Sequence, residues 1–339
     1  MMLNPYQHPV YIETFRIVEE RLCLFINDRD AFINIALKGA QFHLLQNAEA
    51  RANNINSGWF SKEMMAAVIS GGKEYKTGPL DYIWRSLVSA QCVIEHFGSI
   101  GRPFYDSDLC VPVIKNFIET DNFQNIFYPP SNFVKRYSDA IVSIDVLDIN
   151  KKERRGSGFI FSDTEAKKWL CTAYHNIKDN KIVSIRNGKG EIVEIGEVLG
   201  ISEADVSFSP IVSPISGPTF KFFKDLELFD DIYTFGFPLV PCVDSVLIGH
   251  RGELNGVGKN YINKTDTMII SNLISPGSSG GPILNKYGFC VGMSAAALEG
   301  HIQSEGLQHG PLQRFSAGIP FYEIEKAFRE LRPQFISLR

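Results

Sequence analysis

The 339-residue chain lacks the marks of several large protein classes. No stretch reaches the roughly 20 apolar residues that a membrane-spanning helix needs, because runs such as 261–274 are broken by Lys264 and Asp266. No membrane span is expected. The first fourteen residues have no basic start followed by an apolar segment, so no secretory leader is expected either. Six cysteines, at 23, 92, 110, 171, 242 and 290, include no C-x-x-C pair and no histidine-rich neighbour, which argues against a metal site. Reduced thiols in a cytoplasmic protein are the simpler account of that spacing. A net charge of −4 makes no case for nucleic acid. The run Lys151-Lys152-Glu153-Arg154-Arg155, between two strand-like segments, reads as a solvated hairpin tip. No Gly-Lys-Ser/Thr follows a glycine-rich loop, so a phosphate-cradling loop is excluded. Internal repeats and low-complexity tracts are also missing.

What is present fits a globular chain of two parts, since 44% hydrophobic residues can build real cores and the length suits about two domains. The texture changes near residue 130. Before it, segments 12–28, 31–53, 81–97 and 107–119 place apolar residues at helical spacing, as in Phe15, Val18, Leu22 and Phe25. These predict an all-α bundle over 1–130, punctuated by Pro79, Pro103, Pro129 and Pro130, with Asp106 or Ser107 capping the last helix. After it, short β-rich runs at 140–146, 158–161, 182–185, 232–235, 268–272 and 289–293 predict an antiparallel double barrel over 131–339, closed by a helix at 322–331. The expected class is α+β multidomain, an all-α domain followed by an all-β one with a C-terminal helix.

The chemistry concentrates in Ser275-Pro276-Gly277-Ser278-Ser279-Gly280-Gly281-Pro282, which presents one serine on a glycine-rich turn. A hydroxyl is a weak nucleophile until a base takes its proton, so Ser279 needs a histidine and a carboxylate elsewhere in the chain. His175 ends the apolar run Trp169-Leu170-Cys171-Thr172-Ala173-Tyr174, and Asp205 opens Asp205-Val206-Ser207-Phe208 after a turn at 202–204. Each has a plainer reading, as a turn serine, a core histidine or a surface acid. The flanking glycines of Ser279, and the fact that Asp205 alone among the candidate acids runs into a small-plus-apolar segment, favour the catalytic set. His96, His250, His301 and His309 lack such a context.

The order His, Asp, Ser, with gaps of 30 (205 minus 175) and 74 (279 minus 205), resembles the chymotrypsin-like serine proteases, and most of all their HtrA-type bacterial branch. Gly277-Ser278-Ser279-Gly280-Gly281-Pro282 is similar to the family's G-x-S-G-G-P, and Thr172-Ala173-Tyr174-His175 to its T-A-x-H. Asp205-Val206-Ser207, Gly156-Ser157-Gly158-Phe159-Ile160, Phe235-Gly236-Phe237-Pro238 and Ala317-Gly318-Ile319-Pro320 add further matches in family order. The likeness covers about three fifths of the chain and leaves out the first 130 residues.

The resemblance implies a serine endopeptidase acting through an acyl-enzyme, with His175 as general base, Asp205 orienting it and Ser279 as nucleophile. The backbone amides of Gly277 and Ser279 would form the oxyanion hole, and glycine at 277 admits the torsions this requires. No cofactor is implied. The specificity pocket would be lined by Leu273, Ile274, Met293, Ser294, Ala295 and Ala296; it contains no acid, so a small or medium apolar side chain is expected there. Strand 294–296 would pair with an extended protein or peptide substrate. Ser294 would either add a hydrogen bond to Asp205 or be a plain strand serine. The chain departs from secreted relatives in placing Asn176, not cysteine, after His175. A PDZ module and an Arg-Ile-Val activation site are also missing from the pattern, so regulation is expected from residues 1–130 or from an activating partner or ligand that they bind. The alternative is a catalytically weak or inactive protease-fold protein that binds extended peptides. Oligomeric state is not legible.

Overall fold

The structure, a computed structural model, describes residues 9–39, 48–60, 62–70, 77–97, 103–106, 110–223, 226–260, 264–297 and 315–337. The chain separates into two compact units, 1–129 and 130–339.

The first unit contains helices α1 (Pro9–Asn27), α2 (Arg29–Gly39), α3 (Ala48–Asn56), α4 (Lys62–Ser70), α5 (Thr77–Ser89) and α6 (Val111–Glu119). The helical spacing read from sequence is the buried stripe of α1, where Phe15, Val18, Leu22 and Phe25 are all fully covered. Phe15 stacks on Phe127 with ring centroids 4.6 Å apart. A small antiparallel sheet is added to the bundle: β1 (Trp59–Phe60), β2 (Ile94–Phe97) and β3 (Pro103–Asp106), in the order β1-β3-β2. The segment 81–97 therefore changes from helix to strand. Gln91 takes a left-handed φ of 57° and Cys92 N–H bonds back to Leu87 O at 2.9 Å, a C-terminal cap that stops α5 before Ile94. Asp106 lies in β3 and Ser107 lies outside the described residues, so neither is seen capping α6, whose N-cap position is Cys110 and carries no side-chain capping bond.

The second unit opens with a 3₁₀ turn (Pro130–Asn132) that leads into the short helix α7 (Phe133–Arg136). Strands β4 (Ile141–Leu147), β5 (Glu153–Ser162), β6 (Lys168–Ala173), β7 (Lys181–Asn187), β8 (Leu199–Ile201) and β9 (Val206–Pro210) form one antiparallel sheet in the order β7-β4-β5-β6-β9-β8. Isolated bridges Arg186–Ile192 and Ile195–Ile211 carry pairing through the segment between β7 and β8, curling this sheet toward a barrel. Strands β10 (Asp231–Gly236), β11 (Ile248–Lys259), β12 (Asp266–Ile270), β13 (Pro282–Asn285), β14 (Cys290–Ala297) and β15 (Ser316–Pro320) close a second barrel in the order β10-β11-β12-β15-β14-β13. The long strand β11 had no clear pattern in the sequence. Its glycines and alternating polar residues pair with β10 and, across a bulge at 254–256, with β12.

Helix α8 (Phe321–Ser337) buries Ile324, Ala327, Phe328, Leu331 and Phe335, a stripe at helical spacing. Phe328 meets the rings of Phe161, Trp169 and Phe208 at 5.1 Å each, so α8 is fixed against the first sheet by edge-on aromatic packing. One continuous core includes Cys171 from the first sheet and Met293 from the second barrel, whose sulfurs lie 3.9 Å apart. The segments carrying the candidate catalytic groups leave this core.

Candidate active site

Strand β6 ends at Ala173 and the chain turns at once into a single 3₁₀ turn, Tyr174–Asn176, which lifts His175 out of the sheet while its neighbours Ala173 and Asn176 stay buried. Asp205 occupies the turn between β8 and β9 with φ of 51°, a left-handed conformation that aspartate tolerates better than most residues. Its carbonyl accepts Tyr174 N–H at 3.1 Å. Its carboxylate is bound twice by the same residue: Oδ1 accepts the His175 backbone N–H at 2.9 Å, and Oδ2 lies 2.7 Å from His175 Nδ1. A carboxylate only accepts, so Nδ1 carries the hydrogen and the Nε2 lone pair faces the opposite way. There it meets Ser279 Oγ at 3.0 Å. The structure thus joins three side chains separated by 30 and 104 residues into one relay. The His175 side chain is half exposed, leaving room for a substrate over the relay.

Ser279 itself is held by its backbone. Ser278 N–H bonds to Ser275 O at 2.9 Å, with Pro276 in the second position of the turn and Gly277 in the third at φ of +97°, the arrangement of a type II turn. A Cβ at 277 would come within 2.6 Å of Phe237 O, so this position has to be glycine. Leu239 N–H donates to Pro276 O at 2.9 Å. In a trans peptide the N–H points opposite to the carbonyl, so this bond aims Gly277 N–H away from Leu239. Among the described residues, the amides of Gly277 and Ser279 donate to no protein acceptor. Gly280 N–H bonds to Ser294 O at 2.7 Å and Ser294 N–H to Gly281 O at 2.8 Å, tying the end of the loop to β14.

The residues expected around a specificity pocket are spread over different environments. Leu273 is 63% exposed on the loop after β12. Ile274 is buried in the second barrel's core with Ile232, Leu254 and Ile270. Met293 is fully buried, Ala295 is half-buried, and the side chain of Ala296 lies outside the described residues. Ser294 is buried in β14 and its hydroxyl has no partner among the described residues, so of its two expected roles the bond to Asp205 is not made and the plain strand serine is what is seen. The carboxylate of Asp205 is instead taken up by the two His175 donors. Surface cavities of about 410 and 370 Å³ occur in this unit, and neither is lined by His175, Asp205 or Ser279.

Two contributors escaped the sequence reading. Ser157 N–H donates to Ser279 O at 2.8 Å, and Ser157 Oγ to Gly277 O at 2.6 Å while accepting Phe237 N–H at 2.8 Å. Asn176 Nδ2 donates to Ser279 O at 2.9 Å. The signal for Ser157 was its place between two glycines. For Asn176 it was a polar residue at the end of an apolar run, beside the histidine.

The stretch 156–293, which begins beside Ser157 and contains His175, Asp205 and Ser279, matches the family model of a trypsin-like peptidase domain. Residues 156–293 are a trypsin-like peptidase domain. Solved structures similar to the chain include the Rv3671c protease from M. tuberculosis in its active form, at 16% identity over 59% of this chain and 86% of that one, with a TM-score of 0.46. A serine endoprotease from Yersinia pestis matches at 20% identity, covering 59% and 65% of the two chains, with a TM-score of 0.47. The HtrA-type protease AlgW with a tripeptide matches at 20%, covering 59% and 62%, with a TM-score of 0.48. The chain therefore spans less than two thirds of the length of the latter two. No curated protein sequence matches it. The peptidase domain is that of a serine endopeptidase, a hydrolase. No helix among the described residues is long and apolar enough to cross a membrane.

Proposed function

We propose that the chain cleaves peptide bonds of protein substrates through an acyl-enzyme on Ser279. The observation that carries this reading is the unbroken relay from the Asp205 carboxylate through both ring nitrogens of His175 to Ser279 Oγ, at 2.7 and 3.0 Å. His175 Nε2 takes the hydroxyl proton as Oγ attacks the scissile carbonyl, and the resulting oxyanion is received by the amides of Gly277 and Ser279. Asp205 stabilises the imidazolium and fixes its tautomer. The imidazolium then gives its proton to the leaving amine. A water, deprotonated by the same nitrogen, releases the acid product and regenerates Ser279.

The acid-free pocket segment argues for cleavage after small or medium apolar residues, since a lysine or arginine placed there would lack a partner. Residues 1–130, which lie outside the peptidase match, are proposed to regulate or recruit in the cytoplasm. The deciding experiment is reaction with a fluorophosphonate probe followed by mass mapping. The wild-type chain should label on Ser279, and Ser279→Ala should neither label nor hydrolyse a peptide ester. Turnover retained by purified Ser279→Ala would overturn the assignment.

A further inference from the structure

The side chain next to the base reaches across to the nucleophile. Asn176 is buried on the 3₁₀ turn that carries His175, and its Nδ2 donates to Ser279 O at 2.9 Å and to Thr172 Oγ1 at 3.1 Å, with Ser157 O at 3.5 Å. The direction of these bonds is fixed by their surroundings. Thr172 Oγ1 spends its hydrogen on Ser157 O at 2.6 Å and can only accept from Asn176. Two backbone carbonyl oxygens face the same end of the amide, so that end is the NH₂ and not the oxygen. The turn is also closed from behind, because Asn180 Nδ2 donates to Asn176 O at 3.2 Å.

The fit is tight on both sides. A Cβ on Gly156 would collide with the Asn176 amide carbon, and one on Gly280 would sit 2.9 Å from Asn176 Nδ2 and 2.5 Å from Thr172 Oγ1. The glycine before Ser157 and the glycine after Ser279 therefore make the space that lets this amide bridge the two segments. Aspartate would put a negative oxygen against two carbonyl oxygens, and an aliphatic side chain would leave the Ser279 carbonyl with Ser157 N–H alone.

We infer that Asn176 is a positioning residue for catalysis: its amide sets the separation of His175 Nε2 from Ser279 Oγ by tying the base-bearing turn to the nucleophile's own carbonyl. This rests on the reading of Ser279 as nucleophile. Displacing a reacting pair by an ångström costs on the order of 100-fold in rate, whereas remote substrate contacts that set KM are untouched. The variants Asn176→Asp, which keeps the shape, and Asn176→Ala, which removes the donor, are compared with wild type and with Cys171→Ala. The last removes a buried thiol from the strand before His175 without touching the relay. Hydrolysis of a peptide ester gives kcat and KM, fluorophosphonate labelling gives the rate at Ser279, and thermal melts give Tm. The expected result is a fall in kcat and labelling rate of about 10- to 100-fold in both Asn176 variants, KM within about two-fold, and a Cys171→Ala protein that loses Tm but keeps kcat. Wild-type labelling rates in the Asn176 variants would overturn the inference, as would an equal kcat loss in Cys171→Ala at the same Tm. A wild-type chain that never labels would instead remove the nucleophile reading itself, so the two failures are distinct.

Discussion

Replacing Asp205 by Asn alters one atom in outline but inverts the hydrogen-bond logic of the site. The His175 backbone N–H, 2.9 Å from Oδ1, can only donate, so the substituted amide must present its oxygen there. Its NH₂ is then turned toward His175 Nδ1, at the position where Oδ2 stood 2.7 Å away. Facing a donor, Nδ1 must give up its hydrogen, and the neutral ring carries it on Nε2. That nitrogen then points an N–H at Ser279 Oγ, 3.0 Å distant, and cannot act as a base. Flipping the amide to rescue the ring would set NH₂ against the backbone N–H at a cost of about 1–3 kcal/mol for the unmet donors, and would still leave the imidazolium without the Asp205 charge that stabilises it. The expected loss in kcat is on the order of 10⁴-fold, the scale for a triad locked in the wrong tautomer, or about 5.5 kcal/mol in the barrier. Stability should move little, because the Asp205 side chain is about one third exposed. The assay is kcat/KM on a peptide ester beside a thermal melt, with Asp205→Ala as companion. An Asp205→Asn variant within about ten-fold of wild type would refute the tautomer argument, since no other contact of Asp205 could supply the base.

Further outcomes follow from other parts of the peptidase unit. Gly280→Ala should destroy activity and lower Tm, because Gly280 sits at φ of +89° and the new methyl would run into Ser157 O; a fully active variant would show that the loop has another stable form. A peptide library should be cut after Val, Ala or Leu, and preferred cutting after Arg or Lys would mean that the pocket is elsewhere. Burial pushes the Cys290 thiol up to about 12 and raises Cys171 as well, so both favour the neutral form in the folded protein. Their stabilisation is complete below the unfolded thiol value of 9.0 and is lost as pH climbs from there toward 12, by at most about 1.4 kcal/mol per thiol per pH unit. Urea midpoints that stay flat between about pH 8 and 11 would contradict this. If residues 1–130 restrain the enzyme, a chain starting near residue 131 and shown to be folded by circular dichroism should differ from the full chain in kcat/KM; equal values would leave that unit a recruiting or localising role.

The relay was legible because each member sits in a short local pattern that the chemistry demands. Ser279 needs glycines that admit positive φ, and Gly277 and Gly280 have it at +97° and +89°. His175 must leave a buried strand, and the run 169–174 is that strand and the turn after it. Helix α8 could be read for the same reason: its stripe from Ile324 to Phe335 is a property of local spacing. Other features depended on partners distant in the chain. The strand β2 could not be told from the end of α5, because four residues gain strand geometry only by pairing with β3. The fate of the pocket residues was also hidden: an apolar side chain at 274 or 293 suits a core and a pocket equally, and tertiary packing placed Ile274 inside the second barrel and Met293 in the core shared with the first sheet. Asn176 shows the limit most clearly. Sequence determined that a polar amide follows the base, but only the approach of Gly156, Ser157 and the 277–280 loop, more than a hundred residues away, decided which carbonyl its two hydrogens would find.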